Sequence, residues 1–94
     1  MNRYETIFLL NTKLTDSKRK KIVNMVKKCM HEYGKIENFR EIGVRKIPYE
    51  IKKQKEAYYY EIIFWVQPEC IVELERLYRI RDEVLQYITI KIDI

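Results

Sequence analysis

The side chains that could carry catalysis are few and poorly spaced for it. His31, the only histidine, stands beside Glu32 in a lysine-rich stretch. A general acid or base needs a group that orients it and a reactant within reach, so a solvated helix histidine is the plainer reading. Ser17 is the only serine and precedes a helical pattern, where backbone capping accounts for it. Cys29 and Cys70 lie 41 positions apart without a CxxC spacing. With His31 they fall short of the four ligands a structural zinc site needs. Phosphate-handling chemistry needs a backbone cradle built with glycines. The stretch NTKLTD (residues 11–16), where such a loop would stand, has none, which removes an acylphosphatase-like activity. Tyr58, Tyr59 and Tyr60 could stack on bases, but the aromatic-glycine-aromatic signature of RNA-recognition sheets is missing. Core packing explains them better. The expectation is a protein that is not an enzyme, with no metal, no cofactor and no small-molecule substrate.

Such a chain must work through its surface, and its composition says what kind. Its 94 residues suit a single domain, residues 1–94, with one modest core. Hydrophobic residues make up 47% and charged residues 35%, a globular balance. Nineteen Lys and Arg against fourteen Asp and Glu leave +5 and a pI near 9.2. That excess favours a polyanionic partner, nucleic acid before membrane. No apolar run approaches the ~20 residues of a membrane span. Two cysteines are too few for a secreted disulfide scaffold, so two half-buried thiols in a reducing, intracellular setting are expected.

Six elements can be read in order. RYETIFLL (residues 3–10) is a strand, apolar on both parities. Thr15 or Asp16 offers an N-cap for a helix over residues 16–33, whose apolar face carries Ile22, Val26, Cys29 or Met30, and Tyr33. Gly34 stands where a C-cap glycine would end it. Residues 36–51 form a second strand, with Gly43 suggesting a bulge and Pro48 an edge position. Lys52 to Glu56 is a charged hairpin tip, followed by the strand AYYYEIIFWV (residues 57–66). Pro68 opens a second helix with Ile71, Leu74, Leu77 and Tyr78 buried, ending near Arg79. VLQYITIKIDI (residues 84–94) alternates as a last strand.

The order β-α-β-β-α-β defines an α+β, ferredoxin-like fold: a four-stranded antiparallel sheet with two helices on one face. The other face should be polar if it meets water. Both parities of the first and third strands are apolar instead, so large apolar side chains remain on the open face whichever set is buried. A patch of that kind marks an interaction site.

Several blocks together resemble one family. Arg3-Tyr4-Glu5 open the chain, Tyr33-Gly34 close the first helix, and EIGVRKIPYEI spans residues 41–51. Tyr58-Tyr59 and RIRDEVLQYITIKI (residues 79–92) complete the ordered set. It is similar to the bacterial-type ribosomal small-subunit protein six family over nearly the whole chain. Gly43, Arg45, Tyr49 and Ile51 are its most specific piece; Ile47 and Pro48 depart from the usual leucine and small residue there.

The resemblance implies a structural constituent of the small ribosomal subunit, in bacterial cytoplasm or an organelle. It further implies binding to small-subunit ribosomal RNA together with ribosomal small-subunit protein eighteen. Phosphates are held by Lys and Arg, and the matching blocks nominate Arg3, Arg79, Arg81 and Lys91, with Arg45 and Lys46 serving RNA or the partner. Tyr49, Ile51, Lys52 and Lys53, with Ile63 and Trp65, are assigned to the protein partner. The Lys18–Lys21 run is outside the family motif and reads as a solvated face. The competing reading is a non-ribosomal regulatory module of the same fold that dimerises through its open sheet face.

Overall fold

The computed structural model describes residues 1–92. Its elements are β1 (Asn2–Asn11), α1 (Asp16–Tyr33), β2 (Gly34–Ile51), β3 (Gln54–Val66), α2 (Glu69–Arg79) and β4 (Val84–Lys91). The sheet order is β2-β3-β1-β4 with every neighbour antiparallel, the expected ferredoxin-like arrangement. Thr15 is the cap of α1: its hydroxyl accepts from the Lys18 N–H at 3.2 Å. Pro68 lies one residue before α2, already at helical angles (φ −55°, ψ −28°), so its missing N–H costs nothing. Residues 93–94, the end of the expected last strand, lie outside the described residues.

Even-numbered side chains of β1 and β3 face the helices. Phe8 and Leu10 from β1 meet Tyr60, Ile62, Phe64 and Val66 from β3 in the main core. Ile22, Val23, Val26 and Met30 of α1 and Cys70, Leu74 and Tyr78 of α2 close it from above. The stripe of α2 is thus turned from the expected one, with Ile71 and Leu77 at its flanks. Cys70 is fully buried rather than half-buried. Both cysteines are free, and the Cys70 thiol points at the Cys29 carbonyl across the helix pair at 3.8 Å.

Phe8 sits at the centre, with ring centroids 5.1 Å from Tyr60 and 5.2 Å from Tyr78. Thr6, the one buried polar residue among the described residues, has its hydroxyl 3.0 Å from that of Tyr78, accepts from Thr89 at 3.0 Å and donates to the Ile88 carbonyl at 3.3 Å. Burial raises the Tyr78 phenol far above its ordinary range, so it stays neutral.

Gly34 serves a different purpose from the C-cap the sequence suggests. Its φ of 167° is extended, not left-handed. A Cβ there would overlap the Trp65 carbonyl oxygen and lie 2.8 Å from Val66 Cα. Glycine lets the chain pass from helix to strand with no intervening loop, pressed against β3.

β2 is the edge strand that Pro48 implied, and it is irregular. The register shifts at Ile36/Asn38, Glu41/Gly43 and Lys46/Ile51. Gly43 (φ 97°) lies at the second shift, as its bulge reading required. At the third, Ile47–Glu50 leave the ladder, so Pro48 gives up no sheet hydrogen bond. The freed arm folds onto the open face, where Ile47 is 8% exposed and packs with Leu9, Ala57 and Leu85.

The hairpin tip is shorter than the expected residues 52–56. Ile51 pairs with Gln54, leaving Lys52 (φ 49°) and Lys53 (φ 64°) as a two-residue turn. Both are left-handed, as a type I′ turn demands, a conformation that costs non-glycine residues about 1–2 kcal/mol each. Replacing the pair by Asn-Gly (K52N/K53G) should therefore stabilise the fold by about 1 kcal/mol, raising Tm by ~4–8 °C. A thermal melt checks this; an unchanged or lower Tm would contradict the strain.

Candidate functional site

The nominated cations do not form one cluster. β1 is ten residues long, so its ends stand about 30 Å apart. Arg3 and Lys91 lie at the end where β1 begins, tied by the bond from the Ile92 N–H to the Arg3 carbonyl at 2.9 Å. Side-chain alternation then places them on opposite faces, since Lys91 pairs with Tyr4 of the helix-facing set. Arg45, Lys46, Arg79 and Arg81 lie toward the other end, where β4 starts and Arg45 pairs with Ala57. Arg45 donates to the Val44 carbonyl at 2.9 Å, and Arg79 and Lys46 are exposed. Arg81 reaches back to α1, its guanidinium 2.8 Å from the Met25 sulfur.

Arg3 is engaged by its own chain. Its guanidinium donates twice to Glu37, at 3.0 and 2.7 Å, and the Trp65 indole N–H donates to the same carboxylate at 2.8 Å. Arg3 also lies 5.9 Å from the Trp65 ring centroid. Glu37 is the extra residue of the first β2 bulge, and that irregularity turns it toward β3 and β1. No spacing rule signals this, because the partners are 34 residues apart.

The two bonds from Arg3, then that from Trp65, hold the Glu37 carboxyl below its ordinary range. A carboxyl with a depressed folded pKa stabilises the fold above its unfolded pKa, and that contribution is lost as pH falls through the folded value. Trp65 is the only tryptophan, so its emission reports the event directly. The expected acid transition has a midpoint below the ordinary glutamate value of about 4.3. A fluorescence titration giving a midpoint at or above that value would show the carboxylate to be free.

The residues assigned to a protein partner fall on one face but in two places. Ile63 and Trp65 belong to the odd parity of β3, turned from the helices. Tyr49, Ile51, Lys52 and Lys53 belong to the folded-back arm and its tip. Tyr49 donates to the Gln86 side chain at 3.4 Å, and Lys52 donates to the Asp82 carbonyl at 3.2 Å. Ile51 packs beneath them in the small second core.

The arm covers one half of the open face and leaves a depression against Ile7, Leu9, Tyr59 and Ile88. The arm does not cover the other half, which begins at Ile88 on the margin of that depression. Ile88 is 57% exposed and Ile90 49%, on the parity of β4 opposite the helices. These two are the strongest unpartnered apolar positions of that face, and the nomination missed them. The period-two pattern of the last strand contained the signal, once the buried parity was known.

Among the described residues, no helix is long and apolar enough to cross a membrane. None of the mutually close His, Cys, Asp and Glu side chains there gather in threes, as a metal site would require.

Comparison with known proteins fits this geometry. The family model for ribosomal protein S6 matches residues 3–91. Small ribosomal subunit protein bS6 of Helicobacter acinonychis is 43% identical over 94 residues, covering 99% of this chain and 66% of its own. The chain thus spans just under two thirds of that relative. Small ribosomal subunit protein bS6 of Caldanaerobacter subterraneus is 42% identical and covered over 99% of both chains. The crystal structure of 30S ribosomal protein S6 from Thermotoga maritima superposes with a TM-score of 0.91 at 33% identity, covering 97% of this chain and 87% of that one. Sequence and fold agree along the whole domain, and the chain belongs to the ribosomal protein S6 family.

Proposed function

We propose that this chain is a non-catalytic constituent of the small ribosomal subunit that binds small-subunit ribosomal RNA together with ribosomal small-subunit protein eighteen. The observation that carries the reading is the family match across residues 3–91, which takes in every element of the fold. The relatives named above are bacterial, which favours a ribosome of bacterial cytoplasm over an organellar one. A net charge of +5 suits a phosphate backbone, whose neutralisation releases counterions. The bare half of the open face, with Ile88 and Ile90, suits a protein partner whose apolar side chains would cover it. In this reading Ile63 and Trp65 flank that contact, and Lys52 and Lys53 meet the partner separately at the tip of the arm, beside Asp82. Arg45, Lys46, Arg79 and Arg81 supply phosphate contacts at one end, with Lys91 at the other. Arg3 positions Glu37 and Trp65 as well as offering its remaining N–H groups.

The test is sedimentation of a tagged chain from native lysate through a sucrose gradient, with and without magnesium. Co-migration with small subunits, retained in moderate salt, is expected. Migration as a free dimer without ribosomal RNA would overturn the reading in favour of the module that self-associates through Ile88 and Ile90.

A further inference from the structure

The charge of the chain is not spread over its surface. α1 holds six Lys and Arg against two Asp and Glu, a net +4, while the whole chain carries +5. The rest of the molecule is nearly neutral. Arg19 is spent on Asp16 at 2.8 Å and on the Tyr60 hydroxyl at 2.9 Å, and Lys27 lies over the Phe39 ring at 3.8 Å. Lys20, Lys21 and Lys28 are exposed and enter none of the ion pairs among the described residues. With Ser17, Asn24 and Met25 these lysines line one open depression on the outer surface of α1. No carboxylate lines it. The acids nearby border its neighbours: Glu32 and Glu73 beyond Lys28, Asp82 and Glu83 beside Lys18 and Lys21, and Glu41 beside Lys20.

The placement also opposes the stability of the helix. Lys18 and Arg19 stand in its first turn beside Asp16, Lys20 and Lys21 follow in the next, and Glu32 occupies the last beside His31. Cations belong at the opposite end for stability, and sequences that break such a rule tend to do so at functional positions. An anion laid along this stripe would be held by the lysines.

We infer that the outer face of α1, through Lys20, Lys21 and Lys28, is a second RNA-backbone contact, bordered by Arg81 at Met25 and distinct from the other nominated cations at the two ends of the sheet. From Lys20 to Lys28 the helix rises about 12 Å, against one phosphate per ~3.4 Å of axis along a strand. The stripe therefore spans three or so phosphates. α1 and the bare half of the open sheet face lie on opposite sides of the molecule, so RNA on one does not compete with protein on the other. The inference rests on the RNA-binding reading above and adds a surface to it.

The test uses the chain with a labelled 20-base-pair RNA duplex, titrated across salt concentrations. K20Q/K21Q/K28Q is compared with K13Q/K35Q/K55Q, which removes the same charge from exposed positions elsewhere. Glutamine keeps helix propensity close to that of lysine, and circular dichroism melts confirm folding of both. The α1 variant should bind roughly 10-fold or more weakly, with the salt slope reduced by about 2–3 and Tm unchanged or raised. The control should change affinity less than about threefold and keep the wild-type slope. Equal losses in the two variants would overturn the α1 site and leave general RNA binding standing. Absence of wild-type binding even at low salt would overturn the α1 contact, and the sedimentation test above decides the joint RNA-binding reading separately.

Discussion

Gly34→Ala is expected to destabilise the fold by about 3 kcal/mol, at or beyond the upper end of ordinary overpacking. The added methyl would overlap the Trp65 carbonyl oxygen and lie 2.8 Å from Val66 Cα. Both neighbours are backbone, so no rotamer change can relieve the contact. β2 would have to separate from β3 at its first pair, Gly34↔Val66. Gly43→Ala is the informative contrast. There a Cβ meets nothing nearer than the end of the Arg45 side chain at 4.0 Å, and only the left-handed φ of 97° opposes it. That cost is about 1–2 kcal/mol. Urea denaturation of the two variants gives the comparison as a midpoint shift at constant slope. Equal losses would mean that the close approach of helix end and strand does not govern Gly34.

Phe8→Ala should cost about 3–5 kcal/mol. Its ring is fully buried and touches Tyr60 and Tyr78, joining both central strands to α2. Domains of this size are stable by only about 5–15 kcal/mol, so the variant would sit near the folding threshold. The same denaturation series measures it. A loss under about 1.5 kcal/mol would mean that the aromatic cluster collapses to fill the space.

These two positions differ in how visible they were. Phe8 belongs to an apolar run whose strand identity was readable from β-branched and aromatic content. The six elements and their order followed from such runs, from helical spacing and from Pro and Gly as punctuation. What escaped was everything set by contact across the sheet. Gly34 sits at a helix end, where a local rule assigns it a cap, yet its constraint comes from Trp65, distant in sequence and adjacent in space.

The same holds for the functional surface. Because β1 and β3 are apolar on both parities, alternation could not say which side the helices cover. Only packing against Val26, Met30 and Leu74 decides it. The engagement of Arg3 by Glu37 depends on a bulge that period-two reading smooths over. The nomination of Arg3 as a phosphate contact therefore began from a side chain that already has an internal carboxylate. The α1 lysines were visible as a run, but that Lys20, Lys21 and Lys28 enter none of the ion pairs among the described residues is a property of the folded surface.

The interrupted edge of β2 has a consequence for the life of the chain before it finds its partners. Unpaired edge strands can template a neighbouring chain, and long flat ones lead to ordered aggregates. Here the outward edge is broken at three points, so no uninterrupted stretch of it exceeds the four residues from 38 to 41 or from 43 to 46. Lys35, Arg40, Arg45 and Lys46 charge that edge, and Pro48 withholds a donor just beyond it. At this edge, a newly made copy thus offers no long flat template to another chain.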